Sequence, residues 1–156
     1  MVVRAIQMIE RLKEISLYIV VGFMMAGISD VFDSVFLEEY LKENLITLLI
    51  ALLAINTTTS SVVMTKLKDI SDATGGNFKF TIEQFRSSTY EQVALILIAV
   101  ILLILAGSKN ILGIHIWVHF VLNGFVTSVF VAGLYTLFDT AKSIFVILRY
   151  ENRDKQ

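Results

Sequence analysis

Residues Leu45 to Thr65 read LITLLIALLAINTTTSSVVMT, twenty-one positions without a charge. At about 1.5 Å of rise per residue, a helix of this length matches a hydrocarbon core of about 30 Å. The stretch is therefore read as a membrane span and the chain as an integral membrane protein. Within it Thr47, Ala51, Ala54, Thr58, Ser61 and Thr65 recur at steps of four, three, four, three and four, so one narrow stripe carries only small or hydroxylated side chains. Leu48, Leu49, Leu52, Leu53 and Ile55 occupy the rest of the first half. In a bilayer such a stripe either lets backbones approach closely or faces water, and both readings stay open. Asn56 to Ser61 adds hydroxyls or an amide all around the second half. These either bond back to carbonyls one turn earlier or form a wet wall.

Composition agrees with a membrane protein. The 156 residues are 56% hydrophobic and 17% charged, with a mean hydropathy of +0.74, more apolar and less charged than an average soluble domain. The expected class is an all-α integral membrane protein forming one transmembrane domain. The absence of proline removes one source of helix kinks, and the absence of cysteine removes disulfides and thiol chemistry. A formal net charge of −1 argues against a nucleic-acid binder acting through bulk electrostatics.

Residues 1–14 place Val2, Ala5, Ile6, Ile9 and Leu12 at helical spacing among Arg4, Glu10, Arg11 and Lys13, a pattern that suits an interfacial helix. Acidic residues there, and no good small-residue cleavage site after Ala26, argue against a signal peptide. The first span, about 15–35, contains Gly22-x-x-x-Ala26, a notch for close packing, and its helical spacing continues through Val31, Phe32, Val35, Phe36 and Tyr40. The second span is 45–65. Val63, Leu67 and Ile70 carry it about two turns further, to a stop at Gly75-Gly76. Thr81-x-x-Gln84 and Ser88-x-x-Glu91 read as capping boxes, predicting a short helix and then a third span over 92–108. Gly107-Ser108-Lys109-Asn110 is the turn to a fourth span over 111–138. The loop 66–91 and the segment 139–156, an amphipathic helix and solvated tail, complete the chain.

Orientation follows from lysine and arginine counts in the connecting segments. Three lie in the N-terminal segment, four in the 66–91 loop and four after Asp139, against Lys42 and Lys109 on the opposite side. Both termini are expected on the cytoplasmic side of a plasma (inner) membrane.

Four constellations are candidates for function. The stripe, with Asn56, could line a pore or pack helices. On the fourth span His115, His119, Asn123 and Thr127 follow at steps of four; His119, Asn123 and Thr127 could line a pore or pack helices, and the histidines could bind a metal or haem, or sit with Trp117 in the interface. No cysteine or carboxylate on that span completes a metal site, so neither metal nor cofactor is expected. Asp30, Asp33, Glu38 and Glu39 form an external acidic mouth that could concentrate cations. Lys66, Lys68, Lys79 and Arg86 could receive an anionic ligand or a cytoplasmic sensor protein, although the orientation rule alone accounts for their charge. The chain has no G-x-S-x-G elbow, no H-E-x-x-H and no paired intramembrane carboxylates, so an enzyme is not expected.

With its four short spans, the basic loop KLKDISDATGGNFKFTIEQFR and the charged tail RYENRDKQ, the chain resembles in architecture the small four-helix killing effectors of bacterial phage-defence and abortive-infection systems. The resemblance implies an ion-conducting pore released by a cytoplasmic sensor. Small multidrug exporters are of similar size, but the intramembrane glutamate expected of them has only Glu14, at the edge of the first span, as its counterpart. The leading expectation is an oligomeric, channel-like protein, a tetramer in first place with trimers to hexamers open, in which the second helix lines the pathway, alone or with the fourth. A non-conducting scaffold and a small transporter are the alternatives.

Overall fold

The computed structural model describes residues 2–75, 78–108 and 116–153. Four helices account for almost all of them: α1 (Val2–Val31), α2 (Phe36–Thr74), α3 (Lys79–Ala106) and α4 (Ile116–Arg153), with no strand among the described residues. Each contains a segment long and apolar enough to cross a membrane, and the chain is a multi-pass, all-α membrane protein. His115, Gly76, Asn110, the 111–115 part of the fourth span and the last three residues of the tail lie outside the described residues.

The helix ends differ from the sequence expectation at two places, each for a local reason. The first helix does not run on to Tyr40. Asp33 adopts a left-handed backbone (φ 49°), the Ser34 amide donates to the Ser29 carbonyl at 2.8 Å and the Asp33 amide to the Asp30 carbonyl at 3.1 Å. This pair of bonds closes a helix end, and α2 restarts at Phe36. The short helix before the third span does not exist separately. Residues 79–91 continue without a break into the apolar run because no glycine interrupts them, because Thr89 and Ser87 bond four residues away along the helix, and because Phe85 is buried against Val63 and Leu67 of α2. At the other junction α2 does end at Gly75, whose left-handed conformation (φ 70°) lets its amide donate to the Ser71 carbonyl.

Packing centres on α4, which contacts all three other helices; α2 and α3 also pair with each other, whereas α1 packs along α4 and scarcely touches α2. The α1–α4 crossing is close because Gly22 leaves no side chain there: a Cβ on it would sit 2.5 Å from the Ser128 Cα. Above and below this point Phe23 meets the edges of Phe120 and Phe125, and Tyr18 meets Tyr135. The main core joins Leu41, Leu45 and Leu49 of α2 to Ala99 of α3 and to Val126 and Val129 of α4. A second, smaller core of Val63, Leu67 and Phe85 holds the far end of α2 against the start of α3.

Polar contacts between helices fix their relative levels. Glu38 of α2 meets His119 and Asn123 of α4, Arg11 of α1 pairs with Glu91 of α3, and Asn56 of α2 bonds Gln92 of α3. At about 1.5 Å per residue, the distance along each helix from one polar level to the other is about 24 Å from Glu14 to Asp30, about 27 Å from Glu38 to Asn56, about 24 Å from Glu91 to Gly107 and about 30 Å from His119 to Asp139. All four match one hydrocarbon thickness. The 39-residue α2 is about 58 Å long, twice that thickness. Taken between these polar levels, the membrane segment of α2 is 38–56 rather than the 45–65 read from its charge-free length; the stretch beyond Asn56 runs beside the charged start of α3, with Glu83 and Arg86, and the smaller core belongs to this projecting part.

Candidate functional site

At the Glu38 end a cavity of about 520 Å³ opens between the close of α1, the turn into α2 and the first described turns of α4, a volume in the range of small-molecule sites. The left-handed turn at Asp33 brings Asp30, Asp33 and Ser34 to its rim, and helical spacing brings His119, Asn123 and Thr127 down one wall. Ala26, Phe120 and Trp117 add apolar surface, and Leu41 and Val126 of the main core close the floor.

Glu38 is the hub of this site. One carboxylate oxygen accepts from Lys42 and, at 2.9 Å, from His119 Nε2; the other accepts from Asn123 Nδ2 at 2.6 Å. With Nε2 donating to the carboxylate, a neutral ring presents Nδ1 as an acceptor, and the Asn123 amide lies 3.4 Å from it. Thr127 donates to the Asn123 carbonyl at 2.8 Å. Glu38 thus ties α2 to α4, while the exposed carboxylates of Asp30 and Asp33 set the charge of the mouth. Glu39 is exposed and does not line the cavity. Sequence spacing brought together His119, Asn123 and Thr127; it missed Lys42 as a partner of Glu38, although i, i+4 spacing on one helix was the available signal, and it missed the contacts of Glu38 with His119 and Asn123, which need the fold around them.

The stripe on α2 sits elsewhere. Thr47, Ala51, Ala54, Thr58, Ser61 and Thr65 are all exposed on the outside of the single chain, opposite the face of Leu41, Leu45 and Leu49. Thr57, Thr58, Ser61 and Thr65 each donate to the carbonyl four residues earlier, at 2.7 to 3.0 Å. Asn56 does not share this face: it is fully buried against α3. The interior between the cavity floor and Asn56 is filled by Leu45, Leu49, Ala99 and Val129.

At the opposite end Lys66 and Lys68 are exposed. Arg86 is also exposed, stacked over the Tyr90 ring at 5.6 Å and bonded to its hydroxyl at 3.2 Å. Lys79 opens α3, and its side chain is outside the described residues. Arg11 pairs with Glu91 and donates to Ser87 at 3.2 Å. Among the described residues no group of three His, Cys, Asp or Glu side chains could hold a metal ion. Comparison with protein-family models, curated proteins and solved structures gave no match.

Proposed function

We propose that this multi-pass membrane protein is an oligomeric, channel-like protein in which several copies of α2 border a path for ions. The observation that carries the reading is the outward placement of the stripe. The chain's own interior is closed by Leu45, Leu49, Ala99 and Val129, whereas the small and hydroxylated positions all lie on its surface. A water path formed by this chain would therefore run between copies. Thr47, Ala51 and Ala54 lie between the polar levels and would form the narrow part. Thr58, Ser61 and Thr65 lie beyond Asn56 and would form a mouth. With both termini cytoplasmic, as the lysine and arginine counts imply, this mouth and the basic residues Lys66, Lys68, Lys79 and Arg86 face the cytoplasm. A sensor protein or anionic ligand would gate from there, the behaviour implied by the resemblance to phage-defence effectors.

A second reading, a non-conducting scaffold, is favoured by the hydroxyl bonds of α2: Thr58, Ser61 and Thr65 are satisfied by their own helix and need no water. Cysteine substitution in this naturally cysteine-free chain separates the two. In a pore, single cysteines at Thr47, Ala51 and Ala54 react with a water-soluble thiol reagent, because the thiolate forms where water reaches it, and reaction lowers the current in planar bilayers. Silence at all three with normal membrane levels removes α2 as a pore wall. Labelling at Thr58 to Thr65 alone does not support a pore, since that stretch lies beyond the hydrocarbon level in either reading.

A further inference from the structure

The seam between α2 and α3 contains a polar cluster that neither the cavity nor the stripe accounts for. Asn56 and Ser60 lie one turn apart on α2, facing Gln92 and Ser88 one turn apart on α3. Asn56 is 0% exposed, and Ser60 and Gln92 are each 3% exposed. The Asn56 Nδ2 amide donates to Gln92 Oε1 at 2.9 Å and to Ser88 Oγ at 3.3 Å. Three polar atoms remain fully buried without a partner: Asn56 Oδ1, Gln92 Nε2 and Ser60 Oγ. A buried polar atom left this way is costly, and more so next to lipid.

We infer that this cluster is a binding site for one ordered water molecule, held between α2 and α3 at the boundary level marked by Asn56 and Gln92. The chemistry of the three free atoms selects the ligand. Asn56 Oδ1 only accepts, Gln92 Nε2 only donates, and Ser60 Oγ does either. A bare cation would face the Gln92 amide hydrogens, and an anion would face the Asn56 carbonyl oxygen. Water both donates and accepts, and three partners is the usual number for a buried one. The conclusion does not depend on how the amides are oriented: an Asn–Gln pair joined by a single amide bond leaves one carbonyl oxygen and one amide nitrogen free whichever way the groups are turned. The water joins both amides to Ser60 and completes the seam one level above the projecting part of α2 and α3.

The site can be tested in the full chain in lipid discs by the magnetisation transfer from water to the Asn56 and Gln92 side-chain amide protons, at the pH of slowest amide exchange. The expected result is a cross-peak of the sign given by a water held longer than surface hydration. It should weaken in Ser60→Ala, which removes one partner and adds no bulk. Assigned amides without this cross-peak overturn the inference, as does a cross-peak that Ser60→Ala leaves unchanged. Shifts of the same resonances on titration with sodium or potassium, absent with a bulky organic cation at equal ionic strength, would overturn it in favour of a bound cation.

Discussion

Gly22→Ala adds a single methyl group at the α1–α4 crossing, and its effect can be worked out from the geometry. The new Cβ would lie 2.5 Å from the Ser128 Cα and as close to its amide nitrogen. Carbon atoms in contact prefer about 3.5–4.0 Å, so the two helices must separate by about 1 Å. No rotamer change relieves this, since the obstacle is backbone. Separation also loosens the Phe23 contacts with Phe120 and Phe125 and the Tyr18–Tyr135 contact. Overpacking of this kind costs about 1–3 kcal/mol. Alanine also gains about 0.8–1.0 kcal/mol of helix propensity over glycine, which would blur the result taken alone. Gly27 supplies the reference: it lies on the same helix and a Cβ there meets nothing within 4 Å. Both substitutions gain the propensity, so the difference between them isolates the packing cost. Reversible unfolding in mixed micelles, followed by circular dichroism, should find Gly22→Ala less stable than Gly27→Ala by about 1–3 kcal/mol. Equal stabilities would refute the close crossing.

Two further outcomes follow from other parts of the bundle. Glu38 couples α2 to α4, so Glu38→Ala and Asn123→Ala should be non-additive in the same unfolding assay, with a coupling of about 0.5–3 kcal/mol; strictly additive effects would show that the bond does not hold the two helices. Phe85→Ala empties the small core beside Val63 and Leu67, a truncation that costs about 3–5 kcal/mol in a packed interior. Hydrogen exchange should quicken around Val63–Leu67 and Phe85 while Leu95–Leu103 stays protected, and exchange that quickens evenly along α3 would contradict a separate projecting unit.

The four helices were legible because uncharged runs near bilayer length have few alternatives, and Gly22-x-x-x-Ala26 was legible as a notch because both residues fall on one face. The inward face of α2 was not. In lipid a leucine gains little by turning inward rather than outward, so apolar periodicity loses the meaning it has in water. The outward stripe and the inward Leu41, Leu45 and Leu49 are therefore equally acceptable to the sequence. The polar run from Asn56 to Ser61 concealed the same choice: Asn56 faces α3 because Gln92 waits there, thirty-six positions away, whereas its neighbour Thr57 satisfies itself on its own helix. Gln92 was overlooked as the edge of an aliphatic span, although a lone amide beside an uncharged run was the available signal. Glu38 read as one acid among several because the residues that bind it on α4 lie over eighty positions away.

The central position of α4 has a consequence for how the chain is made. The helix that touches every other one follows them all in the sequence, so during synthesis α1 enters the bilayer with almost nothing of its own chain to pack against, and the α2–α3 hairpin forms beside it as an independent unit. Until α4 arrives, Gly22 and Ala26 lack the helix they pack against, and Leu41, Leu45 and Leu49 have only their α3 neighbours. The last span thus supplies most of the packing that joins α1 to the α2–α3 pair.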